Sequence, residues 1–266
     1  MTSIKEQSPA PYAKHLSTHG FTTLTFDAAY QGESTGFPRG LENPAQRIED
    51  IKAAVTYLSA LPSVDSARIG VLGICAAGGY ACSAAASDGR IRALGTISAA
   101  CVGRMVRCGG VFEELEESAE AVRGALELAA AWRREYAAAA AAAAPRMFEF
   151  GDAGAMARAD SFARDAAEYY ATERGRHVRS DQRVPSVSWD LMVGYDAFGL
   201  MRLVAPRPVL MIAGERAQTL HFSRDAVDRA REPKELVVVP GKNHFDLYDG
   251  LEVSGPKVVE FFGKYL

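Results

Sequence analysis

Apolar residues along the chain fall into two patterns. Short β-branched runs at 21–26, 68–74, 93–97, 208–212 and 235–239 predict strands. Longer stretches at 9–19, 44–61, 76–87, 223–231 and 256–265 carry apolar residues at three- and four-residue spacing and predict helices. Strand and helix alternate, and the strand runs are nearly continuous in apolar character, as strands buried on both faces must be. The fold class expected is therefore α/β, a mostly parallel sheet flanked by helices.

The alternation breaks between about residues 102 and 204, where long helical patterns ("FEELEESAEAVRGALELAAAWRREYAAAAAAAA" and "DSFARDAAEYYATERGR") replace strands. An insertion of this kind between two sheet strands predicts a helical cap over the carboxyl edge. The division expected is a core at 1–101 and 205–266 with a cap at 102–204. The alanine run at 137–144 reads as helix ended by Pro145. Asn43 before Pro44 offers an N-cap with proline in the first turn.

Composition narrows the function classes. The chain is 48% apolar and 24% charged with a formal net charge of −3, and no basic stripe suggests nucleic acid as a partner. Four cysteines, Cys75, Cys82, Cys101 and Cys108, form no C-x-x-C pair and no zinc spacing with histidine, so no metal and no cofactor is expected. No signal-like segment and no apolar run of membrane-spanning length is evident, which gives free thiols and a cytoplasmic location as the expectation, with no membrane partner.

One stretch carries chemistry. In "IGVLGICAAGGYACSAAA" an apolar strand meets a knot of small residues around Cys75, and a helix follows at once. A nucleophile presented at a sharp strand-to-helix turn needs small neighbours so that strand and helix can approach closely. Gly73, Ala76, Ala77, Gly78 and Gly79 meet that need, with Ala77 where a second glycine is usual. The helix N-terminus favours a thiolate at Cys75, and the Ala76 N–H can donate to an oxyanion. The competing view is a buried structural thiol.

A thiol nucleophile wants a histidine on the same edge of the sheet. His244 follows the last strand in "ELVVVPGKNHFDLYD" and is the candidate base. His15, His19 and His177 read as surface residues, and His221 is a weaker alternative that could face the site. The residue that orients the imidazole is open. Gln218 could do so by a neutral hydrogen bond, Glu215, Asp246 or Asp249 could substitute, or a Cys–His dyad could suffice. The first and last are favoured, because Asp246 and Asp249 suit capping and loop-tying.

These segments, with "FDAAYQGESTGFPRGLENPAQRIEDIKAAVTYLS" and "PRPVLMIAGERAQTLHFS", resemble the dienelactone-hydrolase-like branch of the α/β-hydrolases, near uncharacterised bacterial hydrolases and fungal polyketide transferases. The resemblance implies Cys75 as nucleophile, His244 as base and an acid at the position of Gln218. Ala29 stands where the superfamily turn carries arginine. The segment before "KEQ" (residues 5–7) would supply an oxyanion N–H near Ser3 and Ile4, yet the family's first three strands have no counterpart here. One of them would lie between 21–26 and 68–74. The expectations for that gap are a native start upstream of Met1, supply by another chain, or direct pairing of the two strands.

The function expected is an acyl-group enzyme acting on an ester, lactone or thioester through a cysteine acyl-enzyme. Its partner is a small-molecule acyl substrate, free or linked to a carrier or coenzyme A, and a homodimer is left open. The alternatives are a non-catalytic ligand-binding or assembly relative and an intramolecular cyclase. Trp132, Phe148, Phe150, Tyr169 and Tyr170 in the cap suit a sizeable apolar acyl group but fit helix packing better.

Overall fold

The computed structural model describes residues 1–139, 157, 159–180 and 182–266. Its centre is a parallel sheet of β1 (Ile69–Ile74), β2 (Ile91–Ile97), β3 (Val209–Gly214) and β4 (Lys234–Val239), hydrogen-bonded in that order. Successive side chains alternate between faces, so Val209 and Met211 join one apolar cluster while Leu210 and Ile212 join the other.

Helices α2 (Pro44–Ser59), α3 (Ala76–Ser87) and α8 (Leu220–Arg229) contribute to the first cluster. Helices α1 (Pro9–Thr18) and α9 (Ser254–Tyr265) contribute to the second. Ala81, Cys82, Ala84 and Ala85 are wholly buried, and their small side chains let α3 lie close against the sheet. Asn43 caps α2 as expected, its Oδ1 accepting from the Ala45 N–H at 3.1 Å. Helix α8 begins three residues earlier than the apolar spacing indicates, at Leu220.

Between β2 and β3 lie α4 (Val102–Cys108), α5 (Ala119–Ala139), α6 (Ser161–Tyr170) and α7 (Ser188–Met192), with no strand element among the described residues of that stretch. Helices α4, α5 and α7 pack on one another. Asp160 starts α6 by accepting from the Ala163 N–H at 2.7 Å, and Phe162, Ala166, Tyr169 and Tyr170 turn into the second cluster. The end of the alanine run from residue 140, and Phe148 and Phe150, lie outside the described residues.

One expected strand does not form. Residues 21–26 belong to no ladder, and among the described residues β1 is the edge of the sheet. The β-branched and aromatic residues of "FTTLTF" favour an extended backbone, but a strand also needs a neighbour at hydrogen-bonding distance. Direct pairing between this segment and β1 is therefore excluded. A cavity of about 450 Å³ lies between them, lined by Phe21, Phe26, Leu58 and Leu72 among others, and it reaches Cys75.

Candidate active site

The carboxyl ends of the parallel strands open on one edge, which is where three loops converge. Cys75 follows β1, Thr219 lies in the connection after β3, and His244 follows β4. Cys75 has φ 59° and ψ −128°, a left-handed backbone for a residue with a side chain. The Cys75 N–H donates to Ile97 O at 2.9 Å, and Cys75 O accepts from the Gly78 and Ala100 N–H groups at 2.9 and 3.0 Å. These bonds hold the strained turn in place.

The glycines at the turn are there for close approach. A Cβ on Gly73 would come within 2.4 Å of Ala77 O, and one on Gly79 within 2.4 Å of Ala100 O. A Cβ on Gly78 would meet that of Ala99 at 2.8 Å, which explains why the small-residue requirement continues past Ala77. The turn delivers Ala76 to the first position of α3, where a backbone N–H has no intrahelical acceptor.

His244 is wholly buried and held on both ring nitrogens. Nδ1 lies 2.6 Å from Thr219 Oγ1, and Nε2 lies 2.9 Å from the Tyr248 hydroxyl. The rings of Phe162 and Phe245 meet the imidazole edge-on at 5.1 and 4.7 Å. Ser98 Oγ donates to the His244 carbonyl at 3.0 Å and fixes the loop backbone. The Cys75 sulfur is half-buried, with His244 and Tyr248 beside it. Burial alone would push this thiol up, but the nearby His244 imidazole, then the Met1 amino group, with Tyr248 adding less, bring it down to about 6.

Several expected placements differ. Gln218 turns away from the imidazole and donates its amide to Ser161 Oγ and Asp165 Oδ2 at 3.2 and 3.0 Å, tying the loop to α6. The next residue, Thr219, takes the place beside Nδ1. The Ile4 N–H is already bonded to Gln7 Oε1 at 3.0 Å, inside a buried turn, and so is not free for an oxyanion. Glu215 accepts from the Gly241 N–H, Asp246 from the Asn243 N–H, and Asp249 pairs with Arg174, so these three carboxylates tie loops. His221 bonds Val111 O at 2.8 Å through Nε2 and stacks on Phe222.

No family model matches the chain. It is 37% identical over 256 residues to the uncharacterized protein YcjY of Escherichia coli, a match covering 93% of this chain and 79% of that protein. It is 34% identical to the uncharacterized protein PA2218 of Pseudomonas aeruginosa, over 99% of this chain and 70% of that protein. The crystal structure of PA2218 superposes on all of this chain and 82% of that chain with a TM-score of 0.92. The α/β hydrolase GrgF from a Penicillium species superposes on 99% of this chain and 86% of its own with a TM-score of 0.78, at 21% identity.

The chain belongs to one family with YcjY and PA2218, and its fold is that of the α/β hydrolases.

A shorter match is to the polyketide transferase claH of Penicillium crustosum, 37% identical over 34% of this chain and 29% of that protein. Among the described residues no group of histidine, cysteine and carboxylate side chains is arranged to hold a metal, and no helix is long and apolar enough to cross a membrane.

Two polar partners of the imidazole, Thr219 and Tyr248, were not singled out from the sequence. Thr219 escapes a search for carboxylates because a neutral hydroxyl occupies the place. Tyr248 stands four residues after His244 in "HFDLY", a spacing that returns a side chain to the same side of a helical turn.

Proposed function

We propose that this α/β hydrolase transfers or hydrolyses acyl groups of esters or thioesters by way of a thioester on Cys75. The observation that carries the reading is the half-buried sulfur on a left-handed turn, beside an imidazole whose Nδ1 is held by Thr219 at 2.6 Å. A thiol lowered to about 6 is largely thiolate at neutral pH and needs less help from a base than a hydroxyl does.

In the proposed reaction Thr219 Oγ1 accepts from Nδ1–H, which leaves Nε2 to handle the proton from sulfur. The Cys75 thiolate attacks the carbonyl carbon and the carbonyl oxygen becomes an oxyanion, with the Ala76 N–H aimed at it. The oxyanion collapses, the bond to the leaving alcohol or thiol breaks, and His244 Nε2–H gives that group its proton. Water or another acceptor then loses a proton to His244 and attacks the thioester, and the thiolate departs. The neutral Thr219 orients the ring but supplies no negative charge to the imidazolium, a role closer to that of asparagine in Cys–His–Asn sites than to aspartate.

Of the cap aromatics, Trp132 packs against Leu41 and Val187, whereas Tyr170 stands beside the sulfur. The test is a panel of acyl thioesters and p-nitrophenyl esters of increasing chain length, run on the wild type, Cys75→Ser and His244→Ala. Turnover that depends on both residues is expected; equal rates in all three proteins at every length would overturn the reading.

A further inference from the structure

Tyr248 is wholly buried, yet its hydroxyl lies 2.9 Å from His244 Nε2, and it is close enough to Cys75 for each to shift the other's ionisation. The ring is clamped edge-on by Tyr169 at 5.0 Å and Phe245 at 5.3 Å, so the hydroxyl has a fixed position. Tyr170 lies close by, near both Cys75 and Tyr248. A phenol hydroxyl on the nitrogen that would take the sulfur's proton is not a packing requirement, because phenylalanine would fill the same ring space.

The site also has a deficit that a phenol would meet. Charge separation between Cys75 and His244 is ordinarily supported by a carboxylate on the far side of the imidazole, and here that place holds the neutral Thr219. Support must then come from the sulfur side. Resting on the reading of Cys75 as the nucleophile, we propose that Tyr248 is a catalytic residue that holds the thiolate–imidazolium pair, donating its O–H to the sulfur and accepting from Nε2–H. When the S–C bond forms, the sulfur's electron pair becomes that bond, the negative charge moves to the carbonyl oxygen, and the Nε2 proton goes on to the leaving group. Tyr248 keeps its own proton throughout. Burial and the neighbouring thiolate push its ionisation well above the ordinary phenol value, so it remains a donor at neutral pH.

The ionisable groups around the sulfur are His244 and Tyr248 from the loop after β4, Tyr170 from α6 and the Met1 amino group. The readout is the pH dependence of Cys75 alkylation by iodoacetamide, followed by peptide mass so that the other thiols do not contribute. The wild type is expected to be half-maximal near pH 6. Tyr248→Phe should move that midpoint up by about one to two pH units, the usual worth of one hydrogen bond to a charged group. The plateau rate at high pH should be kept. A 3-fluorotyrosine at position 248, a more acidic phenol and stronger donor with the same ring, should move the midpoint down, and it covers the case in which Tyr248→Phe does not fold. An unmoved midpoint in either protein would overturn the role of Tyr248. A wild-type midpoint in the ordinary thiol range near 8.5 would instead overturn the nucleophile reading itself.

Discussion

Cys75 and Cys82 sit at the start and in the middle of the same helix, seven positions apart, and their thiols are driven in opposite directions. Cys82 is wholly buried on the face of α3 that packs on the sheet, and burial followed by the nearby Cys101 pushes it far up. Cys75 stands on the turn that opens the helix, where burial also acts but His244, then the Met1 amino group, and less strongly Tyr248, outweigh it. Burial by itself makes an inert thiol. Reactivity comes from specific partners that favour the charged form, and the left-handed turn is what brings the sulfur to them.

The sharpest way to break this contrast is to exchange the fates of the two thiols. Cys75→Ala should lower acyl turnover by about 10³-fold or more, the scale seen when a nucleophile is removed. Cys82→Ala should leave turnover within about twofold and show only a modest change in unfolding midpoint, being a small volume change in a packed core. If the two variants lose activity equally, α3 has only a structural part in the chemistry.

His244→Ala comes next. Its expected loss is about 10²- to 10⁴-fold, the range for a positioned general base, read as kcat/KM on a thioester. The Cys75 alkylation midpoint should rise in the same variant, because the nearby imidazole helps to hold the thiol at about 6. Activity of the wild type should therefore fall as pH drops through about 6, where the thiolate gains its proton.

Thr219→Val tests the neutral partner. Valine keeps the shape but leaves Nδ1 without its 2.6 Å contact inside a buried site, which costs about 1–3 kcal/mol and about 10- to 100-fold in kcat. Gln218→Ala, one residue away, should stay within about threefold, because its amide serves only the tie to α6 among the bonds it makes here. Reversal of these two outcomes would return the orienting role to Gln218.

Much of this could be read from the sequence because it depends on local pattern. The small residues from Gly73 to Gly79 mark a turn that no larger side chain could make, and the steric limits at Gly73 and Gly79 bear this out. The position of His244 after the last strand likewise follows from strand and helix alternation. Two things were less accessible. The segment at 21–26 has the composition of a strand, but pairing is decided by a neighbour that composition does not specify. The partners of the imidazole depend on which way adjacent loop residues face: Gln218 and Thr219 differ by one position, and the backbone turn sends the longer amide outward to α6 and the short hydroxyl inward.

The central claim is that the sulfur of Cys75 carries the acyl group, and intact-protein mass after brief exposure to an activated acyl thioester tests it most directly. The account predicts one acyl increment per chain, mapped to Cys75 and absent in Cys75→Ala. An increment on another residue, or an unmodified wild-type protein that still turns the thioester over without any trapped species in His244→Ala, would contradict it.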